Sequence, residues 1–417
     1  MNIIGTERLP IKCWLPFIPA PGYESFCNYV KIDIEDNAKE QAKHLANLPF
    51  AFKHIALMPD CHSGYGMPIG GVLAVQNVVV PNAVGVDIGC GMCAIQTTLK
   101  VADIEGETLH QIREHIKADI PVGHKHHTEA QESRWIPELP ELLINKKNSV
   151  IYGQWEQSHF QVGTLGGGNH FIEIQSDTDD NVWVMIHSGS RNVGKRVCDH
   201  WNDKAKKLNT KWFSLVPNEW DLAYLPIHTD EAKDYLAEMN WCLEFAYNNR
   251  LHMMETVKDI LRSRTGCGFF DLINIHHNYA AWENHFGENV LVHRKGATRA
   301  REGEIGIIPG SQGSNSYIVR GLGNRDSFMS CSHGAGRRMG RKEAQRSLDL
   351  DAEIRRLDEQ GILHGITSVN DLDEATSAYK DIESVMALQT DLVEPIVTLR
   401  ALAVVKAKEE PKGKRKR

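Results

Sequence analysis

The chain has 417 residues, of which 41% are hydrophobic and 24% charged, with a formal net charge of −7 at pH 7. Its length allows one large domain or two to three ordinary ones, and its composition is that of a water-soluble globular protein. No apolar run approaches the roughly 18–20 residues of a membrane span, and MNIIGTERLPIKCW lacks the basic-then-apolar layout of a signal peptide. A cytoplasmic protein without membrane contact is therefore expected, and the acidic balance excludes a generally basic surface but not a local positive groove.

In chain order, residues 36–48 (DNAKEQAKHLANL) read as an amphipathic helix, and IALMP (55–59) as a buried strand entering the loop DCHSGYG. GGVLAVQNVVVPNAVGVDIG reads as two strands joined by a turn. A helix is expected over 107–118, then an irregular polar excursion over 121–160 holding His124, His126 and His127. VWVMIH (182–187) is β-branched and aromatic, hence a strand. Residues 230–262 carry the longest helical periodicity. Short strands broken by RKGA and PGSQG fill 290–321, and 334–346 and 379–391 read as helices. There is no internal repeat, no dividing linker and no regular βαβ alternation. The expected fold class is therefore α+β, one large domain with mixed sheets surrounded by helices. The tail KEEPKGKRKR is charged and expected to be mobile.

The nine cysteines are odd in number and show a single CxxC, Cys90 and Cys93, which argues against a disulfide framework or a zinc ribbon. The informative stretches are glycine-flanked. AVGVDIGCGM (83–92) sets Asp87 three residues before Cys90. It admits two readings, a buried turn with the thiol as filler or a metal or nucleophile loop. GTLGGGNHFIE (163–173) holds Asn169, His170 and Glu173, and VMIHSGSRNVG (184–194) holds His187 and Arg191. INIHHNY (273–279) holds His276 and His277, and CSHGAGRR (331–338) holds His333, Arg337 and Arg338. Each alone has a bland explanation, since the chain has 20 histidines and the glycine loop lacks a P-loop ending. Their coincidence carries the argument, because functional groups collect on loops held by a scaffold. If Asp87, Cys90, His170, His187 and His277 converge, they exceed one tetrahedral site with an open position. They suit two metal ions sharing Cys90, the usual device for in-line phosphoryl chemistry. His333 is then free to attack an α-phosphorus as a nucleotidyl carrier, with Arg191, Arg337 and Arg338 as phosphate-holding candidates.

Together these residues resemble the RtcB family of RNA-splicing ligases. The matching stretches are MPDCHSGYGMPIGG, AVGVDIGCGM, GTLGGGNHFIE, HSGSRNVG, HHNY, RKGA, PGSQG, SYIVRGLGN, CSHGAGR and AYKDI, running from about residue 50 to residue 383. The resemblance implies an RtcB-type catalytic domain over 1–406 and a charged tail over 407–417. It implies GTP and two manganese ions as cofactors, and as substrates RNA with a 3′-phosphate or 2′,3′-cyclic phosphate and RNA with a 5′-hydroxyl. It implies that His333 becomes guanylylated. Cys90 would bridge both metals, Asp87 and His170 would complete one ion, and His187 and His277 the other. Asn169, Glu173, Ser316, Gly334, Ala335, Tyr379 and Lys406 would line the GTP site, with Glu173 and Lys406 on the guanine edges. Asp60 and Arg191 would act in the later RNA steps. The donor types alone do not single out manganese, since zinc binds such ligands more tightly.

Two features stand outside that pattern. Cys61 follows Asp60, either as packing or as an oxidation-sensitive thiol near the metals. The tail's last five residues carry four positive charges, suited to RNA phosphates or to plain solvation. The competing enzyme reading is a binuclear metal-dependent phosphoesterase acting on RNA ends, for which His333 and its GAGRR context have no use. A non-catalytic RNA-binding protein is the third reading, against which every matched ligand position is filled.

Overall fold

The computed structural model describes the chain except residues 16, 20–28, 33, 145, 147 and 408–417, so the tail lies outside the described residues apart from Ala407. Two large sheets organise it. Their strands are β1 (Asn2–Ile4), β2 (Ile11–Cys13), β3 (Ala51–His62), β4 (Ile69–Val75), β5 (Gly91–Lys100), β6 (Phe171–Asp177) and β7 (Asn181–Ser188). They continue with β8 (Ile273–His276), β9 (Asn278–His285), β10 (Glu288–Lys295), β11 (Ile305–Ile308), β12 (Ser316–Gly321) and β13 (Val393–Val405). The first sheet has the order β1-β2-β3-β4-β10-β9 and is mixed, β2 and β3 being parallel. The second has the order β8-β5-β7-β6-β13-β12-β11 and is antiparallel throughout. The longer helices are α1 (Asp36–Ala46), α2 (Glu107–Asp119), α3 (Val150–Gln161), α4 (Arg191–Lys211) and α5 (Asp230–Thr265). No helix among the described residues is long and apolar enough to cross a membrane. Helices and mixed sheets bear out the α+β class.

Helix α5 joins the two halves. Thr229 caps its N-terminus by accepting from the Ala232 N–H, acids fill its first turn, and Gly266 ends it in the left-handed region at φ 70°. Its 36 residues span about 54 Å at 1.5 Å per residue. Tyr235, Met239, Cys242 and Phe245 pack into the core beneath the first sheet. Met253, Val257, Ile260 and Leu261 pack into the core beneath the second, with Ile112 and Ile116 of α2. Each such buried side chain contributes about 1.5–3 kcal/mol. Between the two stretches the stripe turns polar, with Asn249 and Arg250 fully buried.

Several elements depart from the sequence expectations. The strand at 55–59 extends to Ala51–His62, so Asp60 and Cys61 lie in a strand rather than a loop. After β4 the chain forms only a two-residue strand, Val78–Val79, and then a helical turn, Pro81–Val84, opened by Pro81 at its first position. The 121–160 excursion ends in α3, whose Ser149 cap accepts from the Tyr152 N–H. The amphipathic helix α4 and strand β13 were not expected. Residues 334–340 form a loop, and helix begins only at Arg341. The helix expected over 379–391 shortens to Ile382–Ala387, capped by Asp381. Gly336 accounts for the loop over 334–340, because it adopts φ +72° and a Cβ there would stand 2.2 Å from the Asp60 carbonyl oxygen.

Candidate metal and nucleotide site

The site forms where strand ends of both sheets meet. Three backbone links bring its parts into register. The Cys90 carbonyl accepts from the His277 N–H at 2.9 Å, and the His277 carbonyl accepts from the Ala297 N–H at 3.2 Å. Ala297 then pairs with Ser332 in a short antiparallel ladder. Residues 90, 277 and 333, distant in sequence, are thereby placed side by side.

The five expected ligands form a continuous chain of contacts. His170 Nε2 lies 3.1 Å from Asp87 Oδ2 and 3.4 Å from Cys90 Sγ. His187 Nε2 lies 3.2 Å from Cys90 Sγ and 3.3 Å from His277 Nε2. Donor atoms of Cys90, His170 and His187 all fall within 4.8 Å of one another, and all three residues are buried. His187 Nδ1 donates to the Asn169 carbonyl at 3.1 Å, which leaves a lone pair on Nε2 facing the thiol and His277. Burial and the neighbouring imidazoles hold His187 and His277 well below the usual histidine range, so both rings are neutral. Three imidazole Nε2 atoms thus converge with a sulfur and a carboxylate oxygen, an arrangement rich in lone pairs. A bound cation reconciles them, and the donor set therefore fits a metal centre.

Local sequence explains the convergence. Gly89 adopts φ +75°, and a Cβ there would stand 2.9 Å from Ala246 Cβ of α5. A Cβ at Gly189 would strike Asp87 Oδ1 at 2.4 Å, so only glycine lets the loop after His187 approach that carboxylate. The alternation around His277 separates the HH pair: His277 joins the ligands, while His276 Nδ1 lies 3.2 Å from Arg250 on the other side. Cys93 does not join Cys90; its sulfur lies in the core beneath the second sheet, near the Arg250 carbonyl. Cys61 likewise packs in the first core rather than among the ligands, and burial pushes its thiol far up.

Behind the ligands, Asn249 and Arg250 tie their loops to α5. Arg250 donates to the carbonyls of Gly89 at 3.0 Å and Ser188 at 2.9 Å and to Asn274 Oδ1 at 2.8 Å. Asn249 donates to the carbonyls of Thr164 and Gly189, each at 3.1 Å, and accepts from the Thr164 N–H. The segments preceding Cys90, His170 and His277 and following His187 are thus fixed to one helical turn. No motif marks this pair in the sequence, and Glu238 is a further buried polar residue of the same helix.

His333 stands beside this cluster, its ring centroid 4.8 Å from that of His277. Its Nδ1 lies 2.6 Å from Asp60 Oδ2, which also accepts the backbone N–H groups of His333 and Gly334. Asp60 is fully buried at the end of β3. Burial pushes its carboxyl up, but the facing His333 more than offsets this and holds it below the usual range. The Nδ1–H therefore points at Asp60, and Nε2 is the nitrogen left to act.

A cavity of about 680 Å3 opens over these groups. Asn169, Glu173, Gly334, Ala335, Tyr379 and Lys406 line it with Asp87, Cys90, His187, His277 and His333. Glu173 is buried on β6, and burial pushes its carboxyl up to about 7 against the pull of the Gln175 amide and Lys406. Ser316 accepts from the Gly310 N–H at 3.1 Å and so pins the PGSQG loop. Arg337 reaches the cavity, whereas Arg338 is exposed, which separates two arginines expected to act together. Arg191 opens α4 at φ 59°, rare for a residue with a Cβ. It lies behind the glycine loop, donating to Thr164 Oγ1 and the Gly123 carbonyl, each at 2.8 Å. Sequence reasoning missed Glu374 and Arg341, which meet at 3.3 Å beside Lys406.

The family model "tRNA-splicing ligase RtcB" matches residues 41–407. The chain is 40% identical to the RNA-splicing ligase RtcB of Escherichia coli K12, over 97% of this chain and 99% of that protein. It is 32% identical to the tRNA-splicing ligase RtcB of Nanoarchaeum equitans, over 89% of this chain and 92% of that protein. A third relative, RNA-splicing ligase RtcB homolog 1 of Entamoeba histolytica, is 31% identical over 88% of this chain and 83% of its own length.

Proposed function

Since the chain belongs to the RtcB family of RNA-splicing ligases, we propose that it is an RNA ligase that works through a guanylylated His333. Its substrates are an RNA end bearing a 3′-phosphate or 2′,3′-cyclic phosphate and an RNA end bearing a 5′-hydroxyl. The catalytic unit is residues 1–406, the tail is 407–417, and the setting is the cytoplasm, in keeping with the free thiols among the described residues.

The observation that carries this reading is the pairing of His333 Nδ1 with a buried Asp60 beside a cation-ready cluster. The Nε2 lone pair attacks the α-phosphorus of GTP. A nitrogen–phosphorus bond forms as the bond to the bridging oxygen breaks, and pyrophosphate leaves. Asp60 holds the Nδ1 proton and stabilises the charge that the ring gains. An oxygen of the RNA 3′-phosphate then displaces the imidazole, giving an RNA 3′-diphosphate linked to guanosine. The 5′-hydroxyl attacks the RNA-side phosphorus, and GMP leaves with the electron pair of the broken bond. A 2′,3′-cyclic end first takes up water to become the 3′-phosphate.

Asp87, Cys90 and His170 would hold one divalent ion, and Cys90, His187 and His277 a second. Two such ions supply charge neutralisation for the entering and leaving oxygens. Manganese is the identity that the family implies; these donors alone do not choose it. Glu173 and Lys406 would meet the guanine edges, and Asn169, Ser316, Gly334, Ala335 and Tyr379 the remainder of GTP. Asp60 and Arg191 would act in the RNA steps, Arg191 by holding the glycine loop or a phosphate.

Incubation with radiolabelled GTP tests this reading. The wild-type chain is expected to carry an acid-labile, base-stable label, and His333→Ala is expected to lose it while keeping its metal. Persistent labelling of the alanine variant would remove His333 from the mechanism. Phosphate release from 3′-phosphate RNA without GTP would favour the phosphoesterase instead.

A further inference from the structure

Glu374 ends a short helical segment, Val369–Glu374, and is 6% exposed. Three donors converge on its carboxylate, Tyr379 OH at 2.5 Å, Lys406 Nζ at 3.1 Å and Arg337 Nη1 at 3.3 Å, and the Arg341 guanidinium forms an ion pair with it at 3.3 Å. Gln312 Nε2 donates to its carbonyl at 3.0 Å, tying the same residue to the PGSQG loop. Tyr379, Arg337, Arg341, Gln312 and Lys406 all line the cavity with Glu374. The hub therefore draws together three stretches of the cavity wall, at 312, 337–341 and 374–379, with the C-terminal strand's Lys406.

We propose that Glu374 is a positioning residue that aims Lys406 at the O6 of a 6-oxopurine and so sets the preference for guanine over adenine. The inference rests on the reading that Lys406 and Glu173 meet the two guanine edges. A free lysine loses rotamer entropy when it is fixed. Glu374 holds the ammonium before any nucleotide arrives, which removes much of that loss from binding. An ammonium has three donors; one is spent on Glu374, and the others remain for the ligand. An oxo group at C6 accepts from them. An amino group at the same place does not, and it would leave both donors unmet. Glu374 itself is not the acceptor for the base, because both of its oxygens already face donors or cations. Glu173 differs: its one close side-chain donor is Gln175 Nε2 at 2.7 Å, so it retains acceptor capacity for the N1–H and N2–H edge.

The test measures self-guanylylation of the full-length, metal-loaded protein, without RNA, at varied GTP, ITP and ATP. Glu374→Gln keeps the side-chain volume and loses the charge. It is expected to raise KM for GTP and ITP about tenfold while the rate at saturation stays within about twofold, the signature of lost ground-state binding. The ATP value is expected to stay, so the GTP-over-ATP preference falls about tenfold. Lys406→Met is expected to cause the same fall, and the double variant no more than either alone. Glu374→Asp, with a shorter reach, is expected to recover part of the preference. Unchanged KM for GTP, equal losses for ATP, or additive effects in the double variant would overturn the proposal, leaving the guanylyl-histidine reading intact. A wild-type chain that takes no label from GTP would overturn both. Should Glu374→Gln fail to fold, the Lys406→Met and Glu374→Asp pair decides by the same ratio.

Discussion

The two ends of the cavity are built in opposite ways. At the metal end, neutral imidazoles, a thiol and a carboxylate face one another within a few ångström, and their supporting contacts run backward to Asn249 and Arg250 on α5. At the end proposed to take the nucleotide, three cationic side chains and a tyrosine are gathered on one carboxylate, Glu374, within the cavity wall itself. The first gathers lone pairs that a cation would fill; the second has its carboxylate and cations paired before any ligand comes. A metal end of this kind depends on the rigidity of its scaffold, because mutual repulsion of lone pairs favours opening the site. A nucleotide end of this kind depends on charge balance, because each group already has a partner.

That contrast can be broken, and the largest effect is expected at its scaffold side. Arg250→Met strips the Gly89 and Ser188 carbonyls of their donor. Metal affinity is expected to fall about 10–100-fold, as for other groups that orient ligands. Titration calorimetry with manganese and a parallel thermal melt measure this. Retention of full metal affinity would mean that the strands alone hold the ligands.

A middle-sized effect sharpens the nucleotide side. The Glu173 carboxyl lies at about 7 because burial raises it, despite Gln175 and Lys406. Its ionised form is the one that accepts from guanine N–H groups. Lowering pH through 7 therefore protonates it, and KM for GTP is expected to rise by up to about tenfold per unit below that point. Glu173→Gln is expected to bind GTP more weakly at pH 8 and to lose this pH dependence. A KM profile that is flat between pH 6 and 8 in the unmodified protein would argue that nucleotide contact does not involve this carboxylate.

The smallest effect is expected at Cys61, which belongs to neither end. Cys61→Ala removes a sulfur from the first core and is expected to cost about 1 kcal/mol of stability, with metal content unchanged. Loss of metal in that variant would place the thiol back among the ligands, against its packing with the core.

The sequence by itself supplied the candidate donors, and the family resemblance supplied the roles proposed for them. Loop-borne Asp, Cys and His residues, most of them beside glycine, pointed to Asp87, Cys90, His170, His187, His277 and His333, because metal and nucleotidyl chemistry need particular atoms and those atoms belong to few residue types. Amphipathic or periodic patterns likewise marked α1 and α5, and β-branched and aromatic content marked the strand at 182–187. What required the tertiary structure was every statement about partners. His276 and His277 are alike in sequence, and only the fold sends one to the Cys90 and His187 cluster and the other to Arg250. Arg337 and Arg338 are adjacent, yet one reaches the cavity and the other faces solvent. Cys90 and Cys93 read as a pair and point into different surroundings. Glu374, Arg250 and Asn249 carry no motif at all, since a residue that acts by holding others is defined by distances across the fold. Local sequence encodes propensity and chemical type over a few residues. Contacts between positions 90, 277 and 333 come from β-sheet registers and the packing of a long helix, which are long-range terms that no short stretch contains.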